Sequence, residues 1–392
     1  MSRERHELLT GWGRTTWSSS TVAAPSDVKD VVATVNGAGP RGLITRGLGR
    51  SYGDQAQNAG GIVLDMGRMD RVLSLDAEAG TLSVQGGARI GSLMQVLGRR
   101  GLALPVVPGT SHVTVGGAVA ADVHGKNHHR DGGFGHHVTR MTLVTADGEV
   151  REVRPGSGGD PDLFWGTLGG LGLTGVVLDV DLELLPVPTS WMSVDVVRAP
   201  DVDELLSAVA DADTRRYSVA WVDCLARGRQ AGRGVVTSAE HAGPDEVVAA
   251  RSRRRRRDSR HGAPAAVRVP GVAPPGLLNR WSAAAFNAAW FHASRSGTGI
   301  LHTPSSYFFP LDAVEGWNRL YGPQGLVQYQ CVVPDGAPVR DLLTLLRSAA
   351  APVFLAVLKR FGRPDEGVLS SLSSSAGTHS SRMGTSPGRS GP

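Results

Sequence analysis

PGTSHVTVGGAVAADVHGKNHHRDGGFGHH, residues Pro108 to His137, is the stretch on which the chain's organisation turns. It holds seven glycines, six histidines and one lysine. A packed core does not need that mixture. Backbone bare of side chains, set beside titratable groups, suits the close approach of a bulky anionic cofactor.

A second glycine-rich segment lies upstream. The strand-like Gly42–Arg46 runs into Gly47-Leu-Gly-Arg-Ser-Tyr-Gly-Asp54. The spacing is G-x-G-x-x-x-G, and a strand (Ile62–Met66) follows rather than a helix. This is not a dinucleotide turn but a strand–loop–strand with several amides available to a phosphate. Taken alone, each glycine loop reads equally well as a plain turn.

The rest alternates between strands and helices. Ser26 is placed to cap a first helix through Val28, Val31, Val32 and Val35, ended by Gly37. Thr81–Gln85 reads as a strand and Ile90–Leu97 as an amphipathic helix. Met141–Thr145 and Glu149–Val153 form a hairpin across Ala146-Asp-Gly148. A short helix begins at Asp162–Trp165, and Gly170-Leu-Gly-Leu-Thr-Gly175 leads into an apolar strand, Val176–Leu185. Pro186 and Pro188 mark a domain boundary. Beyond it, Val194–Val197, Val219–Val222, Gln328–Val333 and Phe354–Leu358 read as strands. Val202–Ala210, Leu277–Ser294 and Val339–Ala350 read as helices. Cys331, on the third of those strands, is expected to be buried and inert.

The net charge is +5, and Arg251–Arg260 alone carries seven arginines. The charge is therefore local, which argues against a nucleic-acid surface. The run and the Pro/Gly/Ala segment after it, about residues 248–275, are expected to form a mobile loop. That loop is either simply solvated or meets an anionic membrane or a polyprenyl phosphate. The two cysteines, far apart, exclude a disulfide scaffold and a thiolate zinc site. His128 and His129 are adjacent and point apart, with no third ligand at fixed spacing, so no metal is expected. The N-terminus has no apolar signal core, and no run approaches the roughly 18 apolar residues of a membrane span. The expected location is cytoplasmic or peripheral at the membrane, with the periplasmic face left open.

Together, Arg46–Asp54, Ala56-Gln-Asn58, Thr114-Val-Gly-Gly117, His124-Gly-Lys-Asn-His-His129 and Gly170–Gly175 resemble the FAD-binding oxidoreductases of the vanillyl-alcohol oxidase/p-cresol methylhydroxylase type. The likeness runs from about Leu9 to Gly362 and includes Tyr217–Cys224 and Gln328-Tyr-Gln330. It implies an α+β fold in two domains. An FAD-binding domain spans residues 1–185. An α+β substrate domain, an antiparallel sheet with helices, spans 186–362. Among the family's members the likeness is greatest to those that oxidise the ribose 2′-hydroxyl of decaprenylphosphoryl-β-D-ribose to a ketone, passing hydride to FAD. In that setting a separate NADH-dependent reductase completes epimerisation to an arabinose donor for cell-wall arabinan. The lipid-linked substrate implies contact with a membrane. An aldonolactone or alditol oxidase of the same fold is the alternative.

The resemblance also implies roles. Arg46, Gly47, Leu48, Gly49, Arg50, Ser51, Tyr52, Gly53 and Asp54 would hold the FAD pyrophosphate. Thr114, Val115, Gly116 and Gly117 would cradle it likewise with backbone amides. Gly109, Ala121, Asp122, His124 and Val176 would complete the cofactor site. Many relatives bond the flavin to a histidine where this chain has Arg50, so the FAD is expected to be non-covalent. His124 and Lys126 are the expected catalytic pair: an imidazole to orient or deprotonate the hydroxyl, and a cation to stabilise the reduced flavin. Tyr52, Lys126, Trp221, Gln328, Gln330 and Lys359 would line the substrate pocket. After Gly362 the family's continuation, with its reactive cysteine and a further lysine, is replaced by a Ser/Gly/Pro-rich tail, 363–392. That tail is expected to be disordered, as in a truncated or frameshifted gene product, and a non-catalytic FAD-binding remnant stands as a further alternative.

Overall fold

The computed structural model describes residues 4–257, 267–334, 337–348, 353–362 and 366–367. The expected disordered tail falls almost wholly outside these residues. Three sheets carry the fold. The first contains β1 (Arg5–Thr10), β2 (Trp17–Ala23), β3 (Leu43–Arg46) and β4 (Ile62–Asp65) in the order β1-β2-β4-β3. The β2–β4 and β3–β4 pairs are parallel. Helix α1 (Val28–Asn36) packs Val31 inward and ends at Gly37. Its N-cap is Asp27 rather than Ser26: the Asp27 carboxylate accepts from the Asp30 amide at 2.9 Å, while Ser26 donates to the Asp30 side chain. A carboxylate is also the better partner for the positive end of the helix.

The second sheet is antiparallel. It contains β5 (Val72–Asp76), β6 (Thr81–Gln85), β7 (Val138–Val144), β8 (Val150–Val153) and β9 (Val176–Glu183) in the order β5-β6-β9-β7-β8. Helix α2 (Ile90–Gly98) buries Ile90, Leu93 and Leu97 at helical spacing. The short helix α3 (Val115–Ala120) buries Val115, Ala118 and Val119. Helix α4 (His128–Asp131) is a single turn, and α5 (Pro161–Thr167) is N-capped by Asp160.

After β9 the chain changes sheet. The third sheet contains β10 (Met192–Ala199), β11 (Tyr217–Val222), β12 (Gly234–His241), β13 (Gly297–His302) and β14 (Ala356–Leu358) in the order β13-β10-β12-β11-β14, all antiparallel. Helix α6 (Val202–Ala212) covers one face, with Leu205 and Val209 against Ala220, Val222 and Val236. The other face joins the first half: Met192, Val194, Tyr217, Tyr307 and Phe308 share one continuous core with Val84, Val106, Val119 and Phe134.

Two expectations change here. The arginine run is not wholly loop: the backbone is helical over α7 (Pro244–Arg257), with Asp245 and Glu246 in its first turn. Arginine is a good helix former, and acidic residues favour the N-terminal end. Only 258–266 of the expected loop lie outside the described residues. Gln328–Val333 is not a strand but exposed, irregular chain, in which Cys331 is exposed, not buried. The segment has strand composition, but among the described residues it pairs with no other strand. Cys224 is the buried thiol, and burial pushes its pKa up to about 11.

Helix α8 (Arg280–Ala293) is fastened to the third sheet by a buried polar knot. Asp223 receives the Arg233 guanidinium at 2.9 Å, the Asn287 amide at 2.8 Å and the Leu225 backbone amide at 3.0 Å. Truncating Asp223 leaves the Arg233 charge buried and unpaired. Asp223→Ala is therefore expected to lower unfolding free energy by about 3–5 kcal/mol, measured by denaturant titration; a loss below about 1 kcal/mol would contradict this account.

Candidate active site

The Gly47–Asp54 loop lies against Gly11–Gly13. The Trp12 amide donates to the Ser51 carbonyl at 2.7 Å, and Gly13 donates to Tyr52 at 3.0 Å. Gly11 is obligatory: a Cβ there would lie 1.9 Å from the Gly53 carbonyl oxygen. With its carbonyls so engaged, the loop leaves its amides over. Among the described residues, no backbone N–H from Leu48 to Asp54 has a protein acceptor. Gly49 adopts φ +63°, which favours glycine. Arg50 stacks over Trp12 at 3.8 Å and keeps a buried Nε without a partner. Burial lowers the Arg50 pKa, with Asp312 opposing. Unspent amides, an orphaned guanidinium nitrogen and a glycine-walled cradle fit a pyrophosphate. Arg46 does something else: it donates to the carbonyls of Ala56 (3.0 Å) and Thr10 (2.9 Å) and so braces the loop from behind.

The second glycine segment departs from expectation. The amides of Val115, Gly116 and Gly117 are spent within the protein, on Ala88 O (2.8 Å), Gly86 O (2.7 Å) and Thr114 Oγ1 (3.1 Å). The glycines here serve close packing rather than an amide cradle. A Cβ on Gly116 would lie 3.1 Å from Gly86 O, and one on Gly47 would lie 2.3 Å from Thr114 Oγ1. The two glycine segments are thus pressed together. Gly109 and Ala121 are exposed, while Asp122 and Val176 are buried.

Asp122 makes the turn that delivers His124. Its φ is +36°, and its carboxylate accepts from the Gly135 amide at 2.8 Å. His124 then bridges to Gly133, and the Lys126 carbonyl accepts from the Ser218 amide of β11 at 2.7 Å. The segment that carries His124 and Lys126 is in effect hydrogen-bonded onto the third sheet.

Around His124 the structure gathers residues from distant parts of the chain. Gln330 Nε2 lies 3.0 Å from His124 Nε2, and Lys359 Nζ lies 3.4 Å from Nδ1. A neutral imidazole donates at one nitrogen and accepts at the other. One of these partners must therefore accept: Gln330 through its amide oxygen, or Lys359 when neutral. Phe361 packs on His124 at 5.0 Å and on His128 at 4.4 Å. The Lys126 ammonium donates to the Tyr307 carbonyl and lies 4.0 Å from the centre of the Tyr307 ring. Register places Trp221 opposite Val357, on the sheet face that Lys359 continues two residues on. Tyr52 packs near Trp317 at 6.4 Å, and burial raises its pKa. Gln328 is exposed and forms no hydrogen bond among the described residues.

The charges are unusual. Burial, with Lys359 nearby, lowers Lys126 to about 7. Burial alone lowers Lys359 to about 8. His124 falls to about 3, chiefly by burial and then by Lys359. These groups retain some open surface, yet among the described residues no carboxylate compensates them. The site is short of negative charge. Sequence reasoning missed Tyr307, Phe361, Ser218, Trp12 and Asp312. Only the glycines flanking Trp12 gave a signal. Asp312 accepts from Thr110 Oγ1 (2.6 Å) and from the Ser111 amide (2.8 Å), tying the site stretch to the second half.

Residues 19–154 match the FAD binding domain family. Over 369 residues the chain is 37% identical to the decaprenylphosphoryl-beta-D-ribose oxidase of Mycolicibacterium smegmatis, an alignment spanning 92% of this chain and 79% of that protein. It is 31% identical to an alditol oxidase from a Streptomyces species over 45% of this chain and 42% of that protein. It is 35% identical to L-gulonolactone oxidase from Mus musculus over 32% of this chain and 28% of that protein. No helix among the described residues is long and apolar enough to cross a membrane.

The lysine values fix a sign. Between about pH 7 and the ordinary lysine value of 10.5, the unfolded chain holds a proton that folded Lys126 has lost. Stability of the flavin-free protein should therefore rise with pH across that window. Lys126→Met should flatten the rise, leaving the part due to Lys359 above about 8. Denaturant midpoints across the window check this; equal slopes in both proteins would refute it.

Proposed function

We infer a function from one premise: the chain belongs to the FAD-dependent oxidoreductases of the vanillyl-alcohol oxidase/p-cresol methylhydroxylase type. The substrate we propose is a polyprenyl-phosphate pentose of the decaprenylphosphoryl-ribose kind, oxidised at its 2′-hydroxyl to a ketone. The observation that carries this reading is the meeting of Lys126, Lys359 and Gln330 around His124 with no carboxylate among them. A sugar phosphate brings both the missing negative charge and hydroxyls for an amide to bond. The long alignment with the Mycolicibacterium oxidase favours this reading over an alditol or lactone oxidase, whose alignments span less than half of this chain.

Bound FAD supplies the hydride acceptor. The amides of Leu48–Asp54 and the Arg50 guanidinium would hold its pyrophosphate. Arg50, stacked on Trp12, offers the flavin no nucleophile, so we read the FAD as non-covalent. With its pKa near 7, Lys126 is matched to take the hydroxyl proton at neutral pH, and the Tyr307 carbonyl holds it in place. His124, depressed to about 3, is a poor base. Its role is to orient the substrate, fixed by Gln330 and Lys359. Gln330, Trp221 and Tyr52 would line the sugar pocket, with Lys359 meeting the phosphate. Gln328 would have to turn inward to contribute.

The change of sheet between Glu183 and Met192 supports a division into an FAD domain and a substrate domain near residue 186. We propose that a separate, NADH-dependent reductase returns the ketone product to the epimeric alcohol. A lipid-linked substrate requires work at a membrane face.

Purified protein loaded with FAD should show flavin bands that acid precipitation releases. Anaerobic addition of a polyprenylphosphoryl ribose should bleach them, while a free alditol or sugar lactone should not. Lys126→Met should slow bleaching by about 10²–10⁴-fold with flavin still bound. Bleaching by the free lactone alone would replace this reading with the alternative.

A further inference from the structure

Helix α8 carries a feature that the catalytic reading leaves unused. Its inner face is Ala283, Asn287 and Phe291, held by Asp223 and by the guanidinium groups of Arg233 (4.7 Å) and Arg198 (5.3 Å) against the Phe291 ring. The outer face is aromatic. Trp281 is 83% exposed, Phe286 65% and Trp290 48%, and Leu277, just before the helix, is 57% exposed. Phe286 and Trp290 stack on each other, 6.5 Å apart at 14°, rather than on the body of the protein. Isolated exposed apolar residues are ordinary; three large aromatics on one 14-residue helix, with an exposed leucine beside it, are not.

Charge says what such a surface fits. In sequence, no aspartate or glutamate stands between Asp258 and Asp312, whereas Arg260, Arg268, Arg280 and Arg295 do; of these, Arg268 is paired with Glu315 at 3.7 Å. Arg280 opens α8 and Arg295 follows it, both exposed. The helix before it in sequence, α7, ends in the arginine run. A protein partner would commonly be met with both signs of charge. Aromatic side chains flanked by Arg280 and Arg295, for which no ion pair is found among the described residues, match the interface of an anionic bilayer: the rings enter the headgroup boundary, and the guanidinium groups stay with the phosphates.

The connection to the active site is short. Entering α8, the chain is laid along 314–321 by the bonds Val269 N to Glu315 O (2.9 Å) and Ala273 N to Arg319 O (2.9 Å). Trp317 of that segment packs near Tyr52. A surface that holds α8 on lipid therefore holds the neighbourhood of the proposed sugar pocket near lipid as well.

We propose that the outer face of α8, with Trp281, Phe286, Trp290 and Leu277 and the arginines around it, is a docking surface for an anionic phospholipid bilayer. The proposal deepens the reading of a lipid-linked substrate and gives it a means of delivery, but its test uses no substrate. The full chain is mixed with vesicles of phosphatidylcholine containing phosphatidylglycerol, or of phosphatidylcholine alone, and scored by co-sedimentation and by tryptophan emission. Binding to the anionic vesicles, a blue shift, and weakening by added salt are expected. A Trp281→Ser/Phe286→Ser/Trp290→Ser variant should bind at least about tenfold more weakly; circular dichroism and retained FAD show that it is folded. Three results would overturn the proposal: no vesicle binding by the intact chain, equal binding by the folded triple variant, or self-association that the triple variant abolishes while vesicles are ignored. Substrate bleaching is scored separately, so a failure of docking is distinct from a failure of the catalytic reading.

Discussion

The amide of Ser218 donates to the carbonyl of Lys126 across 2.7 Å, and much of the site follows from that bond. It attaches the glycine- and histidine-rich stretch, which belongs to the first half of the chain, to β11 of a sheet built by the second half. Tyr217 and Tyr307 then complete a core begun by Val106, Val119 and Phe134. The Asp312 clasp on Thr110 and Ser111 repeats the arrangement at the other end of the stretch. His124 and Lys126 are therefore not carried on a free loop. They sit at a seam whose two sides are bonded through backbone, which limits how far Lys126 can stray from the residues that face it.

That seam also explains the electrostatics. Bringing two lysines and several histidines together inside protein is unfavourable unless something negative joins them. The chain supplies hydrogen-bonding and aromatic neighbours instead: the Tyr307 carbonyl and ring, Gln330, and Phe361. The result is a site of lowered basicity, in which a lysine is poised near neutrality. On the proposed reading, such a site exchanges folding stability for affinity toward an anion.

Much of the frame could be read from the sequence, because periodicity reports burial. The helix through Ile90, Leu93 and Leu97, the hairpin around Asp147-Gly148 and the sheet change near Pro186 follow local rules. Errors arose where a local rule had two outcomes. Ser26 and Asp27 are both good caps, and the charged one won. The arginine run reads as solvated chain, yet arginine also favours helix. Gln328–Val333 has strand composition but no neighbour to pair with, which left Cys331 in solvent. At Thr114–Gly117 the glycines signalled close approach correctly, but the approaching group is the chain's own backbone. Tyr307 and Phe361 were invisible because nothing in their flanking residues announces a contact nearly two hundred positions or more away.

The contact between Gly47 and Thr114 has a consequence for how this sequence can vary. With Thr114 Oγ1 occupying the space where a Cβ would stand, and that same oxygen capping the Gly117 amide, neither residue can change alone without loss. A side chain at 47 needs a smaller partner at 114, and a smaller partner at 114 gives up a helix cap. The two glycine segments are thus bound as a historical unit as well as a physical one: their descendants would be expected to drift together or not at all.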